Sequence, residues 1–156
     1  MNPATQKLID PNWRLENLYY IVDKKGRRIL FKPNGPQRLA SKYTQKRKRY
    51  LKSRQLGIST YELLKLFDLT VFTPNITTCI LAHEQDAIEK LFRIPRRAYD
   101  YMHPIIKPEI DRGGGSKYEM YFPKINSRIY CDLESRGDTI HRLHISEIAF
   151  IKDFVS

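Results

Sequence analysis

The stretch Lys52-Ser53-Arg54-Gln55-Leu56-Gly57-Ile58-Ser59-Thr60 constrains this chain more than any other. It lies between a short strand-like segment, residues 49–51, and an amphipathic run, residues 61–69. Strand, loop and helix in that order is the setting of a phosphate-binding loop. There, backbone N–H groups of the loop and helix N-terminus converge on a phosphate. Against the pattern G-x-x-x-x-G-K-[ST], Lys52 stands at the first glycine and Gly57 is in place. Ile58 replaces the lysine, and Ser59 supplies the hydroxyl for Mg²⁺. The cation has moved to the front of the loop, and a lysine side chain is long enough to reach phosphates from there. The competing reading is a basic loop before an ordinary surface helix, so other segments have to decide.

Upstream, Asp23-Lys24-Lys25-Gly26 predicts a hairpin turn between strands over residues 18–22 and 28–31. In Phe31-Lys32-Pro33-Asn34-Gly35-Pro36-Gln37, Asn34 or Gly35 caps a helix with Pro36 at its first position, running to about Gln45. Gln37 then falls in the first turn, where its amide can face an adenine edge or simply solvent. Downstream, Leu63, Leu64, Leu66 and Phe67 mark the buried side of the helix after the loop. Residues 77–82 read as a strand, and Ala87, Ile88, Leu91 and Phe92 as one face of a helix from about Gln85. Pro95 kinks or restarts that helix and Pro104 ends it. After Gly113-Gly114-Gly115, taken as a flexible turn, come strands over 117–122 and 127–133 and a polar loop over 134–138. Leu143-His144-Ile145-Ser146-Glu147 reads as a last strand ending in a carboxylate. Strands alternating with helices predict an α/β domain with a largely parallel sheet.

One domain's worth of chain, 156 residues, is enough to bury a core. Its formal charge of +11 favours a polyanionic partner, and the cations cluster at 24–28, 42–54 and 93–97. Arg93, Arg96 and Arg97 either touch DNA phosphates or form a solvated helix face. Cys79 and Cys131 lie in apolar strand-like runs, the usage of a reduced, cytosolic protein. No signal peptide and no membrane-length apolar run is expected. His141 and His144 would point to opposite faces of a strand, and neither cysteine is in a C-x-x-C pair, so a zinc site is not expected.

The acidic strand end adds weight to the phosphate loop. Phosphate-loop ATPases place two acids at the end of such a strand, the first steadying Mg²⁺ through water and the second polarising the attacking water. Here Ser146 replaces the first and Glu147 keeps the second.

Taken together, these motifs resemble the large terminase subunits of tailed bacteriophages, from about Asn17 to the C-terminus. Residues 17–24 are similar to the family's lead-in, residues 31–37 to its adenine motif, and 52–60 to its deviant phosphate loop. Leu81-Ala82-His83 with Asp86-Ala87, Asn126-Ser127-Arg128-Ile129, Arg136-Gly137 and residues 143–149 resemble the run through the acidic motif.

The resemblance implies a RecA-like phosphate-loop ATPase that couples ATP hydrolysis to moving double-stranded DNA into a procapsid. Residues 1–30 would be an N-terminal extension and 31–156 part of the ATPase domain. It further implies a ring on the portal, a small terminase subunit as partner, and the cytoplasm of an infected bacterium. By the same carry-over Gln37 contacts adenine and Lys52 and Arg54 contact phosphates. The loop Lys52, Ser53, Arg54, Gln55, Leu56, Gly57, Ile58, Ser59, Thr60 holds ATP. Ser59 binds Mg²⁺ directly and Ser146 through water. Glu147 is the catalytic carboxylate, Arg54 joins it among the catalytic residues, and Arg136 matches a position that acts on a neighbouring subunit's ATP. Ser146 and Ile58 depart from the family's usual acid and lysine. The chain ends nine residues after Glu147, which predicts a fragment or a separately encoded remainder, without the coupling motif and the nuclease domain. Rival readings are a helicase-like translocase and a non-catalytic basic DNA-binding module.

Overall fold

A computed structural model describes residues 3–50, 56–111, 116–134, 137 and 139–147. The chain opens with two short helices that the apolar clustering of the sequence does not reveal, α1 (Pro3–Ile9) and α2 (Pro11–Asn17). Their signal is the dipeptide Asp10-Pro11. Asp10 caps α2 by accepting from the Asn12 N–H, and Pro11 supplies a preset first turn. Arg14 on α2 is buried, and its Nε and Nη2 donate to the two oxygens of Asp68 at 2.8 and 2.7 Å. Its remaining nitrogen donates to the carbonyls of Leu8 and Ile9, so one guanidinium closes the α1–α2 corner.

Strands β1 (Tyr20–Val22) and β2 (Arg28–Leu30) form the expected antiparallel hairpin. Asp23 organises its turn by accepting from the Lys25 and Arg27 N–H groups, while Gly26 takes the left-handed conformation. Helix α3 (Gly35–Ser41) starts as expected with an Asn34–Gln37 capping box. It stops four residues before Gln45. Residues 43–50 are neither helix nor strand, so no strand forms over Arg49 and Tyr50, and Leu51 lies outside the described residues. The cations at 42 and 46–49 oppose helix continuation by like-charge crowding. Tyr50 is drawn instead to the next helix, its hydroxyl donating to Glu62 at 2.6 Å.

That helix, α4 (Ile58–Phe72), is the hub of the molecule. Ile58, Tyr61, Leu63, Leu64, Phe67, Asp68, Thr70 and Val71 are all buried, a spread too wide for a helix covered on one side only. Leu66, expected among them, is half-buried. Strand β3 (Thr77–Leu81) follows, then α5 (Gln85–Asp100), which runs through Pro95 unbroken as one element. Strands β4 (Glu119–Phe122) and β5 (Ser127–Asp132) are joined by a 3₁₀ turn over Pro123–Ile125, and β6 (Arg142–Ile145) completes the sheet. Its order is β4-β5-β3-β6, with β3 parallel to both β5 and β6 and β4 antiparallel to β5.

The fold is therefore mixed α/β with a largely parallel four-stranded sheet, as the alternation of elements predicts. Phe67 of α4 and Tyr99 of α5 both pack on Phe122, so the two helices share one face of the sheet. The Thr70 and Thr78 hydroxyls bond each other at 2.7 Å and fix α4 against β3. Leu15, Tyr19 and Phe31 belong to the same core cluster, so the N-terminal elements pack into the body of the domain. Among the described residues, no helix is long and apolar enough to cross a membrane.

Candidate functional site

Helix α4 leads into β3 through a short link, so its N-terminus lies toward the edge where β3, β5 and β6 end. Parallel sheets bind ligands in the crevice outside those carboxyl ends. The residues nearest that edge come from four elements.

Gly57 introduces α4 with φ of 72°, the left-handed region that favours glycine. A Cβ there would sit 2.7 Å from Gln37 Nε2, so close approach and backbone conformation demand the same residue. Gln37 is buried rather than presented. Its Nε2 donates to the Gly57 carbonyl at 2.8 Å and its Oε1 accepts from the Asn34 N–H at 2.9 Å. Asn34 reaches the same loop, its Nδ2 donating to the Leu56 carbonyl at 3.2 Å. Together these side chains dock the start of α3 on the end of the candidate phosphate loop.

Leu56 is half-buried, and Ile58 is buried in the core cluster. The Ile58 side chain therefore points inward, away from the loop's open side. Apolar packing accounts for an isoleucine where the motif has lysine. The backbone N–H of Ile58 belongs to the first turn of α4, where N–H groups have no intrahelical carbonyl to bond. Ser59 and Thr60 are half-buried in the first turn of α4. Lys52, Ser53, Arg54, Gln55 and Arg136 lie outside the described residues.

At the sheet edge, β6 ends at Ile145, two residues earlier than the spacing predicts. The Ser146 N–H donates to the Leu81 carbonyl at 3.0 Å. Glu147 then leaves the ladder with φ of 54°. A non-glycine residue in that region carries strain of the kind found at functional sites. Its Oε2 lies 3.4 Å from His83 Nδ1, and His83 Nε2 lies 3.4 Å from Glu84 Oε1. The imidazole is largely enclosed, whereas both carboxylates remain more than half exposed. Asp132, at the end of β5, is in register with Leu81 of β3, beside which Ser146 docks.

His83 and Asp132 carry no role in the motif reading. Their signal is positional, a polar residue at or just past the end of an apolar strand. His141 lies away from this edge, its Nδ1 accepting from the Thr77 N–H where β3 begins. Among the described residues, no cluster of three or more His, Cys, Asp or Glu could hold a metal ion.

Two of the α5 arginines have partners inside the fold. Arg93 pairs with Glu89 at 3.1 Å. Arg96 lies over Phe92 and faces the Lys117 and Glu119 carbonyls at 3.4 Å. Arg97 is half-buried. No protein-family model matches the chain, and a search of curated proteins likewise finds no match.

Proposed function

We propose that this chain is the ATPase portion of a DNA-packaging motor of the large-terminase kind, with a phosphate-loop ATPase fold. The observation that carries the reading is the shared edge. A left-handed Gly57 opening α4 and a strained Glu147 just beyond β6 both belong to the carboxyl side of one largely parallel sheet. Phosphoryl transfer asks mainly for positioning and charge stabilisation there.

In this reading the backbone N–H groups at the start of α4 receive phosphate oxygens, and Lys52 and Arg54 add positive charge. The Ser59 hydroxyl holds Mg²⁺, which offsets charge on the phosphates when bound. Glu147 orients the attacking water, and Arg136 serves a neighbouring subunit. Gln37 reaches adenine only by exchanging its bond to the Gly57 carbonyl for one to the base, so adenine binding and loop position are coupled. Double-stranded DNA is the polyanion favoured by the +11 charge and by the resemblance, with the portal and small subunit as assembly partners.

The test is binding and hydrolysis of ATP by the full chain, with and without duplex DNA. Mg²⁺-dependent binding that Lys52→Ala abolishes is expected, with slow or absent turnover by the chain alone. Undetectable binding, or binding unchanged in Lys52→Ala, would overturn the reading.

A further inference from the structure

Among the described residues, a cluster of exposed cations without ion-pair partners lies away from α5. It lies in the irregular segment between α3 and the candidate phosphate loop. Lys42, Lys46, Arg47 and Arg49 are exposed, and none has an ion-pair partner among the described residues. The segment is nonetheless held at both ends. The Tyr43 N–H donates to the Ala40 carbonyl at one end, and the Tyr50 hydroxyl grips Glu62 at the other. Eight residues in an open conformation reach up to roughly 25 Å, long enough to follow several phosphates of a duplex.

A second observation comes from α4. Lys65 lies beside Lys48, and its ammonium pKa is lowered, first by burial and also by that like charge, while Glu62 acts in the opposite direction. Glu62 is already shared between the Tyr50 hydroxyl and Lys65. Two crowded ammonium groups with one committed carboxylate leave a local excess of positive charge that an outside anion would relieve.

We propose that residues 42–49, flanked by Lys65, form the surface that carries the phosphate backbone of nucleic acid, in place of the arginines of α5. This rests on the nucleic-acid partner named above and assigns its contact surface. Binding of this kind is sequence-independent, because cations spaced along an open backbone address phosphates and not base edges.

The experiment is a salt titration of duplex binding by fluorescence anisotropy on the full chain. It compares wild type, the combined variant Lys42→Ala, Lys46→Ala, Arg47→Ala, Arg49→Ala, and the combined variant Arg93→Ala, Arg96→Ala, Arg97→Ala. Each phosphate contact contributes about 0.9 to the slope of log K against log salt. The first variant should flatten the slope by about 3–4 and weaken binding more than tenfold at moderate salt, and the second should change it by less than 1. Thermal unfolding checks folding, and the single reversals Lys46→Glu and Arg47→Glu repeat the comparison with little surface removed. Equal binding by the first variant, or loss confined to the second, would overturn this surface while leaving the nucleic-acid reading intact. No duplex binding by wild type would overturn both. A first variant that loses ATP affinity but keeps DNA affinity would overturn it by giving these cations to the nucleotide. Wild-type preference for anionic vesicles over duplex would overturn the choice of nucleic acid.

Discussion

The imidazole Nδ1 of His83 lies 3.4 Å from Oε2 of Glu147, which joins the second residue past the end of β3 to the second residue past β6. In sequence neither announces the other. In space the ring stands between two carboxylates, Glu147 on one nitrogen and Glu84 on the other. That places an imidazole nitrogen beside the one carboxylate proposed to orient water.

Glu147→Gln keeps shape and hydrogen bonding and removes the charge. In the assembled protein it should leave ATP affinity nearly unchanged and lower kcat by roughly the 10²–10⁴ attributed to a positioned base. His83→Ala should lower kcat with little change in KM, and His83→Asn should recover part of the loss. Steady-state kinetics on the three variants checks this, and normal turnover by Glu147→Gln would remove the residue from the mechanism.

Gly57→Ala places a Cβ 2.7 Å from Gln37 Nε2 on a backbone at φ of 72°. The left-handed conformation alone costs about 1–2 kcal/mol for a non-glycine residue. The loss in urea unfolding should be at least that, and Gln37→Ala in the same chain should restore part of it. Strict additivity of the two substitutions would show that the contact does not govern Gly57.

The Arg14–Asp68 pair is buried on both sides. Arg14→Ala strands a carboxylate that also accepts the Tyr19 hydroxyl, so the expected loss is about 3–5 kcal/mol. The paired replacement Arg14→Met with Asp68→Leu should be milder than either single change. A cost below about 1 kcal/mol for Arg14→Ala, measured by urea unfolding, would contradict a buried pair.

Burial, and then the Asp68 carboxylate, hold the Tyr19 phenol well above its ordinary pKa of 10.0. Tyr50 is raised in the same direction by burial and by Glu62. The unfolded chain therefore releases these protons first as pH rises. Stability from this source is complete below pH 10 and declines above it as pH rises toward the folded-state pKa values. Melting temperatures from pH 8 to 11 should fall beyond 10, less steeply in Tyr19→Phe.

Both cysteines are buried thiols, and the Cys131 thiol is pushed up to about 12 by burial, with Cys79 and Asp132 adding to it. Thiolate is the reactive form, so a disulfide-exchange reagent at pH 8 should label neither residue until the chain is unfolded. Rapid labelling of the native protein would show that the sheet opens locally.

Local spacing was enough to read α4, β3, α5 and β5, because a helix or strand that buries one face must repeat apolar residues at its own period. Asn34-Gly35-Pro36-Gln37 likewise announced the start of α3, since a capping box is closed within four residues. The sequence by itself also marked Gly57 as the residue that opens α4 and Glu147 as an acid beyond β6. What it did not show lies where the deciding partner is distant. Helix α3 ends early, as cations crowd the next turn and Tyr50 bonds to Glu62 rather than to a strand. Gln37 turns inward to the Gly57 carbonyl, and Ile58 is claimed by the core. The strand order β4-β5-β3-β6, the Arg14–Asp68 tie and the meeting of His83 with Glu147 each join residues far apart in the chain. Tertiary structure alone decided these, because periodicity marks which face an element buries but not which partner covers it.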